Sequence, residues 1–320
     1  MKKRRGKAVA IALLLVALAA AGCGLGPGEE VGTVELTVTR EFGAVPVLRR
    51  SLEAKESDTV MRALEASADV DTRFGGGFVH AIDGVAEGAR DGDPYDWFFF
   101  VDGVESPVGA ADVDLEDGER VWWDYRDWAA ANHVPAAVGS WPAPFTDGVA
   151  GKSYPVVLEC ATESRGSFRT DTVQKEPRVA WGAACAAAGR ALEREGARLA
   201  EGSPKGAIRM LVGPWDRLRQ DPAARLLEKG PAESGIYANF KAGVLMALDE
   251  NGTGAREFGP DAGLVAATSR YGGPPVWLVT GGTAAGVRAA ADALDEEHLR
   301  DHYAVAIEAG QETPLPEPGR

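Results

Sequence analysis

Three Asp-Gly pairs, Asp83-Gly84, Asp102-Gly103 and Asp117-Gly118, punctuate runs of aromatic and β-branched residues. Such pairs supply the positive-φ backbone that a tight hairpin needs, so the chain around them is read as short strands rather than helices. The runs they separate are Phe78–Ile82, Trp97–Val101 and Arg120–Arg126. Upstream, Val34, Leu36, Val38 and Thr39 alternate with polar residues as a half-buried strand does, and Val45, Val47 and Leu48 suggest a second strand after a turn at Gly43. One helix interrupts this pattern. Ser57 reads as its N-cap, and Val60, Met61, Leu64 and Ala68 recur at helical spacing over about three turns. Residues 33–128 are therefore expected to form a small β-rich domain with one helix.

The aromatic strands pose a packing question. Trp97-Phe98-Phe99-Phe100-Val101 has no polar face, so that strand is either covered on both sides or partly exposed for binding. Trp122 and Trp123 are neighbours on a strand and point to opposite faces, so one of the two rings needs a partner beyond the local core.

The later half has a different texture. Residues 129–153, rich in Ala, Pro and Gly, read as an interdomain linker, and 154–310 as an α/β domain. Strands are expected at Tyr154–Cys160, Ala207–Val212, Gly235–Phe240, Val244–Leu248, Leu264–Thr268, Val276–Thr280 and Tyr303–Ile307. Helices are expected at about Trp181–Glu201, Pro222–Glu228 and Ala284–Leu294. The acidic, Pro-rich tail 311–320 is expected to be disordered.

At the amino terminus Lys2, Lys3, Arg4, Arg5 and Lys7 precede an apolar run, Ala8–Ala21, then Gly22 and Cys23. The order is that of a secretion signal, and the run is shorter than the roughly 20 residues that span a bilayer. Small residues leading into Cys23 resemble the lipobox of bacterial lipoproteins, with Ala20 standing where Leu is usual. Cleavage before Cys23 and lipidation of that residue are expected, with 1–22 as signal peptide and 23–32 as a flexible tether. The chain would then be held at the cell membrane on its extracytoplasmic face. An ordinary signal peptide with an incidental Cys is the plainer alternative. The full chain carries a net charge of −14, and removing 1–22 takes away five basic residues and no acidic ones. Nucleic acid is excluded as a natural partner, and an acidic chain is poorly suited to anionic lipid, so the lipid would do the anchoring. Cys160 and Cys185 remain, and an exported location favours their pairing as a structural disulfide over a thiol nucleophile.

A resemblance emerges from four segments: Ser57–Ala68 (SDTVMRALEASA), Gly77–Val85 (GFVHAIDGV), Tyr95–Gly109 (YDWFFFVDGVESPVG) and Leu115–Trp128 (LEDGERVWWDYRDW). Together they resemble a bacterial family of unknown function related to the carboxy-terminal domain of transcobalamin and intrinsic factor, over roughly residues 33–128. In transcobalamin-like proteins this domain lies over a cobalamin held mainly by a helical barrel, which this sequence lacks. The resemblance implies a domain whose aromatic edge covers a flat or apolar ligand, with Trp97, Phe99, Trp122, Trp123, Tyr125 and Trp128 as candidates. The competing reading makes most of these six rings ordinary core.

Other constellations lead to no chemistry. The run Asp112-x-Asp114-x-Glu116-Asp117-Gly118 fails as an EF-hand loop, having Asp117 and Trp123 where Gly and Glu are required, and Asp117-Gly118 reads as a hairpin turn. Thr280-Gly281-Gly282-Thr283-Ala284-Ala285-Gly286 lies between a strand and a helix but lacks phosphate-loop spacing; a Gly-rich turn with Thr283 as N-cap accounts for it. His80, His133, His298 and His302 do not assemble a zinc set. No catalytic or metal residue is assigned. The expected fold class is α+β: a small β-rich, β-grasp-like domain with one helix, followed by a mixed α/β sandwich domain. The expected function is non-catalytic capture of a small molecule, a corrinoid such as cobalamin or another flat cofactor, for a membrane importer. The alternative is an interaction module of the envelope with no small ligand.

Overall fold

The computed structural model describes residues 28–163, 167–170, 180–270 and 272–318. Residues 1–27, with Cys23, lie outside the described residues.

The first domain is built on β1 (Glu30–Arg40), whose Val34, Leu36 and Val38 alternate into the core as the sequence pattern requires. β1 pairs antiparallel with β2 (Val45–Lys55) through the turn at Gly43, and parallel with β9 (Arg120–Asp127). A parallel neighbour demands a long crossover. Here it consists of a helix, α1 (Val60–Glu65), then β3 (Val70–Arg73), β4 (Phe78–Ile82), β5 (Val85–Ala86), β6 (Gly88–Arg90), β7 (Asp93–Val101) and β8 (Val104–Glu105). The main sheet runs β2-β1-β9-β7-β6, with β8 attached to β7, while β3, β4 and β5 form a small sheet of their own. α1 packs Val60, Met61, Ala63 and Leu64 into one face of the main sheet. This is the expected β-grasp-like arrangement.

Three local expectations are corrected. The helix is capped by Thr59, not Ser57: the Thr59 hydroxyl accepts from the Arg62 N–H, and the helix ends by Glu65 because the chain must turn into β3. The tether does not reach residue 32, since Glu30 and Gly32 already pair with Lys55 and Ala54. Asp102-Gly103 and Asp83-Gly84 do close hairpins, with positive φ at both positions, but Asp117-Gly118 does not. Asp117 instead accepts from the Thr33 N–H at 2.9 Å, and the Gly118 N–H reaches the Thr33 carbonyl, which docks the turn onto β1.

The second domain is a seven-stranded sheet of mixed direction. Its strands are β10 (Val156–Ala161), β11 (Phe168–Thr170), β12 (Ile208–Pro214), β16 (Gly263–Thr268), β17 (Val276–Gly281), β18 (Ala304–Glu308) and β19 (Gln311–Leu315). The order is β11-β10-β12-β17-β16-β18-β19. A separate three-stranded sheet comprises β13 (Ala238–Lys241), β14 (Val244–Leu248) and β15 (Gly254–Glu257). Two helices, α2 (Gly182–Arg194) and α3 (Ala284–Asp292), share a core with the large sheet through small side chains such as Ala188, Ala191, Ala290 and Ala291. α2 stops short of the expected Glu201 where Gly196 takes a positive φ. The Cys160–Cys185 disulfide ties β10 to α2 across a Cα–Cα distance of 6.0 Å.

Two boundaries change. Residues 129–153 are not a loose linker: Val134, Val138, Trp141 and Phe145 are buried, and Trp141 packs on Trp277 of β17 at 5.7 Å between ring centroids. The Ala- and Pro-rich composition serves close packing there, as at Gly139, where an added Cβ would lie 2.9 Å from the His302 nitrogen. The tail is not disordered over 311–315. β19 pairs antiparallel with β18 and buries Leu315, and Pro314 is tolerated because β19 is the sheet edge.

Candidate functional site

The two faces of β9 have separate fates. Trp123 and Tyr125 point into the first domain's own core, whereas Trp122, Asp124 and Arg126 point toward the second domain. Trp122 stacks on Phe100 at 5.3 Å and meets Tyr303 edge-on at 5.1 Å. Its indole N–H donates to the Thr39 hydroxyl at 2.8 Å, which donates in turn to Asp124 at 2.6 Å. Asp124 also accepts from the Gly43 N–H at 3.1 Å and the Tyr303 hydroxyl at 3.1 Å. Burial pushes the Asp124 carboxyl up, and these three donors act against that shift. Arg126 is fully buried, lies over the Phe98 ring at 3.8 Å, and donates to Glu105 at 3.2 Å. The partner that the Trp122–Trp123 alternation demands is thus the second domain.

The six aromatic candidates do not form one exposed edge. Trp97, Phe99, Trp122, Trp123 and Tyr125 are all buried, and only Trp128, at 38% exposure, is open to solvent. Phe99 stacks on Trp123 at 4.8 Å, and Trp97 leans on Tyr125 at 5.1 Å. Their polar ends are satisfied where they reach backbone: Trp97 Nε1 donates to the Val85 carbonyl at 2.8 Å and Tyr125 to the Ala86 carbonyl at 2.9 Å. Small neighbouring strands cover what the sequence left open to a ligand.

Three of the six nevertheless share a cleft. The outer edge of β7 pairs with β6 over Asp93–Tyr95 and with β8 over Phe100–Val101; the Phe99 carbonyl accepts from the Ser106 N–H at 3.1 Å, and over Asp96–Phe98 this edge has no strand beside it among the described residues. At this gap the Trp97 N–H is taken by the Asp96 carboxylate at 2.7 Å. A cleft of about 320 Å³ opens there, with Trp97, Phe99 and Trp123 in its wall. Phe78, Phe98 and Met61 add apolar surface, and the segment Ser106–Ala110 forms its rim. Asp96 supplies the nearest carboxyl, pushed up chiefly by burial, while Glu105 is held by Arg126, His133 at 2.8 Å and the Val134 N–H at 2.8 Å. Within this rim Val108 is 49% exposed, and Phe74, which packs edge-on against Phe78, is 88% exposed.

Sequence reasoning passed over Phe74, Phe78, Phe98 and Val108. The available signal was Phe74-Gly75-Gly76-Gly77, a large ring placed before three glycines that can bury nothing. The glycine-rich turn at 280–286 behaves as its sequence suggests: Thr283 caps α3 by accepting from the Gly286 N–H at 3.2 Å. Among the described residues no group of three or more His, Cys, Asp or Glu side chains is placed to hold a metal ion, and no helix is long and apolar enough to cross a membrane.

A β-grasp-like domain with an open edge cleft, fused to a mixed α/β domain, is the class of protein that the geometry defines. Residues 57–127 match the family model described as Domain of unknown function (DUF4430), which is the transcobalamin-like family. No curated protein matches the chain.

Proposed function

We propose that this chain is a non-catalytic binding protein of the cell envelope, anchored at the extracytoplasmic face by a lipid on Cys23, that holds a small apolar ligand at the β7 edge and delivers it to a membrane importer. The cleft of about 320 Å³ lined by Trp97, Phe99 and Trp123 is the observation that carries this reading. Its size lies at the lower end for small-molecule sites, and its apolar wall with two carboxyls, Asp96 and the Arg126-held Glu105, is the usual makeup of such a site. A whole corrinoid exceeds it and would lie across the mouth, against Val108 and Phe74, with only a substituent inside.

The test is titration of the purified full-length chain in detergent with cobalamin, haem and smaller apolar cofactors, following tryptophan fluorescence. Two of the chain's indoles line the cleft, so occupancy is expected to give saturable quenching at micromolar ligand. A second reading, an envelope interaction module with no small ligand, is favoured by the exposure of Phe74 and Val108 beside an unpaired strand edge. Absence of a saturable response to every ligand in the series would move the assignment there.

A further inference from the structure

The cleft at the β7 edge holds one donor that the chain does not satisfy. Two indoles lie in its wall. Trp97 Nε1 donates to the Val85 carbonyl at 2.8 Å, whereas Trp123 Nε1 is buried and has no hydrogen-bond partner among the described residues. A buried indole N–H usually finds an acceptor, and one left without it bears the full desolvation of the group. The Trp123 ring is 2% exposed and stacks at 4.8 Å on Phe99, its cross-strand neighbour in β7, so the direction of its N–H is fixed. The other polar groups of the wall are engaged or carry negative charge. The Ser106 hydroxyl donates to the Val108 carbonyl at 3.0 Å, Glu105 is held by Arg126 and His133, and Asp96 accepts from the Trp97 N–H. Among the described residues that line the cleft there is no Lys, Arg or His.

We infer that the occupant of this cleft is a neutral apolar molecule bearing a carbonyl oxygen, which accepts the Trp123 indole N–H. The inference rests on the β7-edge cleft being the ligand site and names the class of ligand. An indole N–H only donates, so the occupant must supply an acceptor, and a plain hydrocarbon leaves the donor as it stands. A carboxylate or phosphate would meet Asp96 and Glu105 with no cation in the wall to offset them. Because the nitrogen is closed to solvent, the carbonyl forms its bond without competition from water. Reaching it takes a small displacement of the rim at Ser106–Ala110, an irregular segment in which Val108 is half exposed.

The full-length chain is dialysed to equilibrium, in one detergent throughout, with 2-acetylnaphthalene, 2-ethylnaphthalene or 2-naphthoate, which share a ring system and differ in the group offered to Trp123. The ketone is expected to bind at least about fivefold tighter than the more hydrophobic ethyl compound, and the naphthoate more weakly than either. Trp123→3-benzothienylalanine puts sulfur in place of the N–H in a ring of nearly the same shape; it is expected to abolish the preference for the ketone and to leave the ethyl compound within about twofold. Equal binding of ketone and ethyl compound, a preference that survives in the variant, or tightest binding of the naphthoate overturns the ligand class while the cleft stands as a binding site. Saturation by none of the three overturns both. In the unsubstituted chain the Trp123 indole proton resonance is expected to move downfield with the ketone and not with the ethyl compound, and a ketone that binds without moving it overturns the inference as well.

Discussion

Tyr303→Phe removes one oxygen and little else. The ring is fully enclosed, meeting Phe42 at 5.3 Å, Phe100 at 5.5 Å and Trp122 at 5.1 Å, and all three contacts survive the change. Burial holds the Tyr303 hydroxyl well above its ordinary range, so it stays protonated and donates to Asp124. Without it Asp124 keeps the Thr39 and Gly43 donors to one oxygen while its other oxygen is left buried and unpaired. Loss of a buried hydrogen bond to a carboxyl costs about 1 to 3 kcal/mol. Guanidinium unfolding, followed by tryptophan fluorescence and by circular dichroism at pH 8, measures it. Because Tyr303 lies between β9 and the second domain's sheet, both probes are expected to shift together by that amount. A change below about 0.5 kcal/mol, or a shift in one probe alone, would refute the reasoning that this contact joins the two domains.

Three further outcomes follow from particular contacts. Gly43 takes a φ of +87°, and an added Cβ would sit 1.7 Å from the Asp301 carbonyl oxygen, so Gly43→Ala is expected to destabilise by about 2 kcal/mol or more; an unfolding midpoint unchanged in urea would contradict this. Replacing Cys160 and Cys185 by Ser opens a loop of 25 residues and is expected to cost about 3 kcal/mol, read as a lower thermal midpoint that reducing agent does not lower further. Burial pushes the Asp102 carboxyl up to about 7, above its unfolded value. The folded state therefore binds this proton more tightly, so the group's contribution to stability is present at acid pH and is lost as pH rises through about 7. The stability of the parent chain relative to Asp102→Asn is expected to fall between pH 4 and pH 8, by at most about 4 kcal/mol, and a difference that does not vary with pH would count against it.

The first domain was legible because its signals are local. Alternation in Val34, Leu36 and Val38, helical spacing in Val60, Met61 and Leu64, and the paired positive φ of Asp102-Gly103 each act within a few residues. What the sequence concealed depends on contacts between distant segments. Trp122 announced a missing partner, yet nothing local named Tyr303, 181 positions away in the chain. The 129–153 segment looked like a linker because Ala and Pro are common in loose chain, while here small side chains admit Trp122 and Trp277 at close range. The edge of β7 was illegible for a similar reason: whether Trp97, Phe99 and Trp123 are open or covered depends on how far β5, β6 and β8 extend, and those strands are only two or three residues long. The cleft is the gap that their shortness leaves.

The most direct test of the binding account compares two surface variants in the fluorescence titration. Val108→Asp places a charge in the rim of the cleft without touching the core, and Trp128→Ala removes the one exposed aromatic candidate, which does not line it. The account expects Val108→Asp to weaken binding at least about tenfold while Trp128→Ala leaves it within about twofold. Binding that is lost in Trp128→Ala and retained in Val108→Asp would contradict the placement of the ligand at the β7 edge.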